Sequence, residues 1–153
     1  MKLRTHILAT TILTLPLCAV AQEKKLDRSA LPPAVEHTVQ QQSQGATIKG
    51  FSTEREHGKK VYEAEMIVNG HTKDIGIDAD GTLNEVEEEV AFDSLPQGVQ
   101  SALTAKAVGA KIVKVESLTK KDKLVAYEAS TLKGTKKCEI QVGPDGKSLA
   151  HEQ

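Results

Sequence analysis

The sequence has 153 residues, a length that suits one domain or two small repeated units. Lysine and arginine number 20 against 21 aspartate and glutamate, which leaves a formal net charge of −1. Hydrophobic residues make up 39% of the chain and aromatic residues only 3%. This composition argues against a disordered chain. The lack of a basic stripe with interleaved aromatics excludes a nucleic-acid-binding protein.

The first 21 residues have the pattern of a secretory signal peptide. Lys2 and Arg4 provide a basic start, residues 7–17 form an apolar run, and Ala19-Val20-Ala21 has the form of a cleavage site. The apolar run is shorter than the ~20 residues that a membrane span needs, and the bulky residue before Cys18 disfavours a lipid anchor there. We therefore expect cleavage after Ala21 and a periplasmic or secreted protein, without stable membrane insertion.

Cleavage leaves a polar leader and a single cysteine. Residues 22–29 are rich in charge and are predicted to form a flexible leader. Because Cys18 leaves with the signal peptide, Cys138 stays alone and no intramolecular disulfide is expected. Cys138 alternates in phase with Ile140 and Val142, which predicts a buried, unreactive thiol.

The rest of the chain contains an internal duplication. Short segments of similar sequence recur in the same order, 64 or 65 residues apart. The matching pairs are residues 31–35 with 95–99, 45–49 with 109–113, 62–65 with 127–130, and 80–81 with 145–146. Residues 30–91 and residues 92–153 are therefore predicted to be two repeats of one structural unit, and we call them the first half and the second half.

Each half is predicted to begin with a helix. In the second half, Ser94 stands where an N-cap is expected, Pro96 falls in the first turn, and Gly109 marks the end. The first half has Pro32-Pro33 at the helix start and Gly45 at its end.

After each helix, apolar residues recur at every second position, as in strands with one buried face. Tyr62 and Tyr127 fall on the apolar side of their strands and are predicted to be core residues beneath the two helices. Asn-Gly and Asp-Gly pairs between the alternating runs predict hairpin turns. The predicted fold class is α+β, with two tandem helix-plus-four-strand antiparallel units and the helices packed on one face of an extended sheet.

This layout resembles the PepSY-like proteins. The resemblance rests on the export signal, the Leu-Pro helix starts at Leu31 and Leu95, the Tyr-Glu-Ala strands and the Asp-Gly hairpins, and it covers residues 30–151. In layout, the group is also similar to the bacterial β-lactamase inhibitory proteins. The resemblance implies an exported, non-catalytic module that binds other proteins or regulates peptidases.

The sequence has no recognisable catalytic motif. It lacks the nucleophile-elbow, HExxH, CxxC and Walker patterns, and the histidines after the signal peptide are scattered. We therefore predict that the protein is not an enzyme and that it carries no cofactor and no metal ion.

One segment has some features of a calcium loop. It is Asp78-Ala79-Asp80-Gly81 followed by Glu87, but Gly76 stands at the position of the first EF-hand ligand. The matching turn at Asp145-Gly146 keeps the bend and lacks the other ligands. Hairpin turns are therefore favoured at both places, and weak cation binding at Asp78 and Asp80 stays open.

Acidic residues on the polar side of the strands form the candidate functional site. They are Glu63, Glu65, Asp74, Glu128 and Glu139. If the helices cover the opposite face, these carboxylates share one solvent-facing surface that can bind an unidentified protein or peptide, in particular a basic one. A second acidic run, at residues 85–89, is interpreted as a solvated strand end and linker.

These observations predict a non-enzymatic exported binding module that regulates or inhibits an envelope enzyme or peptidase through its open sheet face. An alternative is a small-ligand or divalent-cation-binding carrier protein that uses acidic turns. An enzyme is the third hypothesis, and no spacing of catalytic residues supports it. For the acidic residues themselves, the alternative to a binding surface is a sheet face that is merely solvated.

Overall fold

The computed structural model describes residues 23–56, 58–151 and 153. The strands in this part of the chain are β1 (Lys24–Leu26), β2 (Thr47–Glu56), β3 (Lys59–Val68), β4 (His71–Asp78), β5 (Leu83–Glu89), β6 (Lys111–Lys120), β7 (Lys123–Lys133) and β8 (Lys136–Val142). The α-helices are α1 (Pro33–Gln42) and α2 (Gln97–Lys106), and each is preceded by a short 3-10 helix, at Arg28–Ala30 and Phe92–Ser94.

The strands form one 8-stranded sheet in which the spatial order is the chain order, β1 to β8. Every neighbouring pair is antiparallel. The segments that contain α1 and α2 join β1 to β2 and β5 to β6, and tight turns join the other neighbours, in agreement with the predicted hairpins. The predicted α+β class and the extended antiparallel sheet are confirmed.

Apolar side chains on one face of the sheet form two clusters, one beneath each helix. The first cluster joins α1 to the sheet through Leu31, Val35, Val39, Phe51, Tyr62, Ala64, Met66, Ile75 and Ile77. The second cluster joins α2 to the sheet through Leu95, Val99, Leu103, Val115, Ala129, Ile140 and Val142. Tyr62 is buried, and Tyr127 packs, partly buried, against the second cluster. Both tyrosines therefore lie on the predicted side of their strands.

The two Asp-Gly turns pack against the beginnings of the two helices. Gly81 has φ +88°, and a Cβ on it would lie 2.8 Å from the carbonyl oxygen of Ala34 in α1. Gly146 has φ +77°, and a Cβ there would lie 2.6 Å from the carbonyl oxygen of Gly98 in α2. Glycine is required at both turns, because it accepts the left-handed conformation and leaves room for the helix backbone.

β2 and β6 each contain a bulge at the same place. The pairing register shifts between Ile48 and Gly50 in β2, and between Ile112 and Lys114 in β6. The intervening residue has no partner in the register, which is the geometry of a β-bulge. The strands that follow each helix therefore share a detail that the sequence did not predict.

The structure corrects the predicted helix cap. Ser94 does not cap α2, because its hydroxyl donates a hydrogen bond to the carbonyl of Ala91 at 2.7 Å. Pro96 occupies the cap position, and α2 begins at Gln97. The cause is the 3-10 turn at Phe92–Ser94. The Ser94 hydroxyl is bonded within this turn and is therefore not available to the first N–H groups of α2.

The structure also corrects the extent of the strands. Within the predicted flexible leader, residues 22–29, Lys24–Leu26 forms β1 and pairs with β2, so this part is ordered by backbone pairing and by Leu26 against the first cluster. The first half has four strands after its helix, β2 to β5, as predicted. The second half has three, β6 to β8, and the described residues after Val142 form no further strand.

For the full-length chain the prediction of a free, buried thiol at Cys138 is wrong, because this cysteine is disulfide-bonded and partly exposed there. Its partner in the register is Thr131, on the side of β8 that also carries Ile140, so the alternation placed it on the correct face. The free-thiol prediction assumes that Cys18 is removed by cleavage. Cys18 and the whole predicted signal peptide, residues 1–21, lie outside the described residues.

Candidate functional site

The side of the sheet opposite the helices carries a band of carboxylates, which we call the acidic face. Its members belong to strands β3 to β8, and in each strand they occupy the alternate positions that face away from the helices. They are Glu63, Glu65, Asp74, Glu85, Glu87, Glu89, Glu116, Glu128 and Glu139.

Cross-strand pairing places several of these carboxylates directly beside one another. Glu65 pairs with Asp74, and Asp74 pairs with Glu87, in a row across β3, β4 and β5. A second row crosses β5, β6 and β7 and consists of Glu89, Glu116 and Glu128. Directly paired residues have Cβ atoms ~5 Å apart, so like charges at these positions repel.

A small pocket opens among the carboxylates of the first row. It has a volume of about 140 Å³, and Glu63, Asp74, Glu85 and Glu87 are among its lining residues. Gly76 lies in the register between Glu63 and Glu85 and forms part of the wall. A Cβ at Gly76 would come within 3.2 Å of the Glu85 Cβ. The pocket is smaller than the ~300–1,000 Å³ of sites that bind organic ligands, so it suits an ion or the end of one side chain.

Burial makes the ionised form of two central carboxylates costly. It raises the pKa of Glu87 to about 9, and repulsion from Glu128 and Glu85 adds to the shift. It likewise raises the pKa of Glu63 to about 7, against the opposing effect of a hydrogen bond from the Ser52 hydroxyl. At neutral pH this part of the face therefore holds protons that ordinary surface carboxylates have lost.

The same cause acts on two further members of the acidic face. Burial raises the pKa of Asp74 to about 6, and repulsion from Glu116 contributes. Burial raises the pKa of Glu128 to about 7, although the Gln141 side-chain amide donates a hydrogen bond to its Oε2 at 2.7 Å. The raised pKa values thus extend from β3 to β7.

Lysines offset part of the negative charge. Lys114 Nζ lies 2.7 Å from Glu116 Oε2, and Lys120 Nζ lies 2.7 Å from the Glu85 Oε2 atom. Glu116 also accepts a hydrogen bond from the Thr72 hydroxyl at 3.3 Å. These contacts hold the side chains in place, while the carboxylates of the face still outnumber these lysines.

The structure places all the predicted site residues on the acidic face, and it corrects their exposure. Glu65 and Glu139 are exposed, and Glu63 and Asp74 are half-buried. Glu128 is only 9% exposed, because neighbouring strands and Gln141 cover it, so the predicted solvent-facing surface does not include it.

Sequence reasoning missed the centre of the acidic face. It assigned residues 85–89 to a solvated strand end and linker, whereas β5 pairs with β4 on one side and with β6 on the other. Glu87 therefore lies in the middle of the sheet, next to Glu116. The signal was present in the sequence. Glutamates occupy alternate positions at Glu85, Glu87 and Glu89, as in a strand that carries carboxylates on one face.

Three members of the acidic face are close enough to share a cation. Asp74, Glu87 and Glu116 each offer a carboxylate oxygen, and these atoms lie within 4.8 Å of one another. Oxygen donors of this kind suit Ca²⁺ or Mg²⁺. The ion pair with Lys114 competes for Glu116, so a cation would have to displace that lysine.

The suspected calcium loop has the geometry of a turn. Asp80 Oδ1 accepts the backbone N–H of Thr82 at 2.9 Å, and Asp145 Oδ1 accepts the backbone N–H of Lys147 at 3.0 Å. Both aspartates therefore stabilise their own turns in the same way. Glu87, the last residue of the suspected loop, belongs instead to the acidic face.

Comparison with known proteins identifies the fold. No protein-family model matches the sequence, and a search of curated proteins finds no match. A Bacteroides eggerthii protein described as periplasmic superposes with a TM-score of 0.61 at 17% identity, over 78% of this chain and 86% of the other. A BLIP-like protein from Bacteroides fragilis gives 0.55 at 23% identity, over 80% and 86% of the two chains. A DUF2874 family protein from Bacteroides uniformis gives 0.58 at 17% identity, over 76% and 84%.

These likenesses extend over most of each chain, at identities too low to carry an activity across. Among the described residues, no helix is long and apolar enough to cross a membrane. The PepSY-like resemblance stays a prediction, because no family model supports it. The chain therefore shares the α+β fold of these Bacteroides proteins, one of which is described as BLIP-like.

Proposed function

We propose that the protein is an exported, non-enzymatic binding module whose acidic face receives a basic protein or peptide. The observation that carries this proposal is the band of half-buried carboxylates that lysines offset only in part. A carboxylate that has already lost much of its water loses little more when a cationic side chain contacts it. The acidic face is therefore prepared for a partner that brings positive charge.

The architecture supports this proposal. Both helices pack on the other side of the sheet, so neither blocks the acidic face. The Bacteroides eggerthii protein of similar fold is described as periplasmic, which agrees with the signal peptide predicted at residues 1–21. The description of the Bacteroides fragilis protein as BLIP-like agrees with a role in binding.

The finer assignments are also part of the proposal. The chain consists of two tandem PepSY-like units in a shared sheet, and it acts in the periplasm or outside the cell after cleavage behind Ala21. Its partner is an enzyme of the envelope, such as a peptidase, which it regulates or inhibits. No reaction is assigned to the module itself.

The contacts of Asp74, Glu87 and Glu116 favour a second candidate, a divalent-cation carrier. The binding module is the better supported of the two, because the carboxylates extend as a band from Glu63 to Glu128 and do not converge on one point. A band matches several cationic side chains along a peptide, whereas a cation carrier needs one compact set of ligands.

The experiment is a titration of the chain from Gln22 onward with an oligolysine peptide at about pH 8, where Glu63 and Glu128 are ionised. The variant is Glu63→Gln/Glu139→Gln, which neutralises one half-buried and one exposed carboxylate of the acidic face. The matched control, Glu88→Gln/Asp122→Asn, removes the same charge from exposed positions away from the acidic face. We expect about tenfold weaker binding for the first variant and little change for the control, with high salt weakening the wild type.

Equal binding by the variant and its control would contradict the proposal, since attraction would then depend on net charge alone. Thermal unfolding with Ca²⁺ tests the carrier. A stabilisation by Ca²⁺ that sodium chloride of equal ionic strength does not reproduce, and that Glu116→Gln removes, would favour the cation carrier.

A further inference from the structure

An apolar pocket lies between the end of α2 and the start of β6, and none of its lining residues belongs to the acidic face. It has a volume of about 450 Å³ and is lined by Phe92, Thr104, Ala107, Gly109, Ala110 and Ile112. Next to these residues in the chain, Val108 is 70% exposed and Val113 is 47% exposed. These are the large exposed hydrophobic residues of the described chain, and both belong to this one segment.

The first half of the chain provides an internal control, because the equivalent surface there is polar. At a spacing of 64 residues, Phe92, Thr104, Ala107, Val108 and Val113 correspond to Arg28, Gln40, Ser43, Gln44 and Lys49. Arg28 forms an ion pair with Glu36 at 2.7 Å and lies over the ring of Phe51. The framework therefore does not require apolar residues at these positions, and the apolar surface of the second half needs another reason.

The backbone beside the pocket has an unpaired edge. Within the described residues, β5 pairs with β6 only from Glu116 to Lys120, and the last contact is the hydrogen bond from Val90 N–H to Val115 C=O at 2.9 Å. Residues 111–114 therefore have β7 on one side and no strand on the other. Val113 is the bulge residue of this stretch. An edge of this kind can pair with an added strand.

Val108 adds a further constraint. Its φ is +47°, a left-handed conformation that a β-branched residue rarely adopts. The backbone strain at Val108 stays whether or not a partner binds, but its exposed side chain, next to the pocket in the chain, gains from burial when a partner covers it.

We propose that the first residues of β6 accept an extended peptide segment as an added strand, with one bulky apolar side chain of that segment in the pocket. The segment carries acidic residues beside its apolar anchor, because two lysines flank the pocket in the chain. Lys111 is exposed, and Lys106 is also exposed while its Nζ donates a hydrogen bond to the Gln141 carbonyl at 2.7 Å. The exposed Asp93 offsets only part of this positive charge. Backbone hydrogen bonds supply affinity and the pocket selects the side chain, as in other cases of strand addition. Two exposed valines offer far less than the ~800 Å² per partner of a stable interface, so a second copy of the chain does not fit.

The test uses an acetylated and amidated peptide, Glu-Val-Leu-Val-Glu, and backbone-amide NMR of the chain from Gln22 onward. We expect saturable shifts at residues 108–114. The variant Val108→Gln/Val113→Lys places the residues of the first half on the second half and should weaken binding at least tenfold. The matched control, Gln44→Ser/Lys49→Ser, changes the same positions of the first half and should bind like the wild type. Peptides with serine for leucine, or lysine for glutamate, should bind at least tenfold more weakly.

Three results would overturn the proposal. The first is the lack of shifts at residues 108–114 at millimolar peptide in a chain whose spectrum is folded. The second is self-association in sedimentation that Val108→Gln/Val113→Lys removes, which would make a second copy the occupant. The third is co-sedimentation of the wild type, and not of the variant, with vesicles of phosphatidylglycerol and phosphatidylethanolamine, which would make the surface a membrane contact. Each readout is independent of oligolysine binding to the acidic face, so the two proposals stand or fall separately.

Discussion

In the first half of the chain an Asp-Gly turn packs its glycine against Ala34, and in the second half the equivalent turn packs against Gly98. A bulge follows each helix at the same place. The side chains around the helix ends, by contrast, are polar in the first half and apolar in the second. This difference teaches that close backbone contacts fix the positions that build each half, whereas exposed positions at the helix ends can differ in polarity between the halves.

The two halves also differ in the strands that they contribute to the acidic face. The first half contributes β5, whose carboxylates lie between β4 and β6, and the described part of the second half has no counterpart to this strand. Because β5 pairs with both neighbours, the carboxylates of the two halves form one continuous band. The joint between the halves is therefore the centre of the candidate site.

Replacing the core tyrosines should give the largest effect and separate the two halves. Tyr62 is 7% exposed within the first cluster, and Tyr127 is only partly buried. We expect Tyr62→Ala to lower the free energy of unfolding by about 3–4 kcal/mol and Tyr127→Ala by about 2 kcal/mol. Urea unfolding measures both, with Tyr62→Phe and Tyr127→Phe as controls for the hydroxyls. Equal losses would show that the two cores are equally dependent on their tyrosines.

The turn glycines should show that the halves are alike in framework. Gly81→Ala and Gly146→Ala each place a Cβ against helix backbone, so we expect a loss of about 3 kcal/mol in either half. The control is Gly134→Ala, where φ is +62° and nothing lies within 4 Å of the added carbon. It should cost about 1 kcal/mol for the left-handed conformation alone. Turn variants no worse than this control would disprove the close packing.

Titration of the acidic face should make the protein less stable as the pH rises. The folded-state pKa of Glu87 is raised to about 9, so between its unfolded pKa and this value the folded chain binds more protons than the unfolded chain. The free energy of unfolding then falls through this window, by about 1–2 kcal/mol between pH 5 and pH 8 once relaxation of the site is allowed for.

Glu87→Gln should raise the stability at pH 8 and flatten this dependence, and Glu128→Gln should do so less, since its pKa is raised only to about 7. Denaturation midpoints across this pH range measure the slope. A midpoint that rises with pH would contradict the burial of these carboxylates.

The smallest effect concerns the ends of the two helices. Val108 has a positive φ and its counterpart Gln44 does not. Val108→Gly should therefore stabilise the protein by about 1 kcal/mol, whereas Gln44→Gly should leave it unchanged or slightly less stable. Thermal unfolding of the two variants checks this asymmetry, and a loss of stability in Val108→Gly would show that the valine side chain packs favourably.

Local periodicity was enough to predict much of the fold. Alternation placed Tyr62 and Tyr127 on the helix side and Glu63 and Glu128 on the other, because side chains in a strand change faces at every residue. The hairpin turns followed from Asp-Gly and Asn-Gly. These features depend on neighbouring residues, which the sequence displays directly.

What the sequence did not reveal depends on pairing between distant segments. Lys24 and Lys25 have the composition of a mobile leader, and only the exposed edge of β2 makes them a strand. The burial of Glu128 depends on strands at both sides, and the central position of Glu87 depends on β5 joining β6. Sequence patterns therefore identified the correct face of the sheet without showing which carboxylates lie deepest in it.

The strands follow one another in the sheet in the same order as in the sequence, and this order affects how the chain folds. Each strand pairs with the next strand along the sequence. Most of these pairings close through short turns, whereas β1–β2 and β5–β6 close across the segments that contain α1 and α2. Pairing between strands that are neighbours in the sequence favours faster folding than pairing between distant strands. A chain that enters a compartment N-terminus first can form its hairpins in succession as each strand emerges, and the first helix can cover its cluster before the second half has arrived.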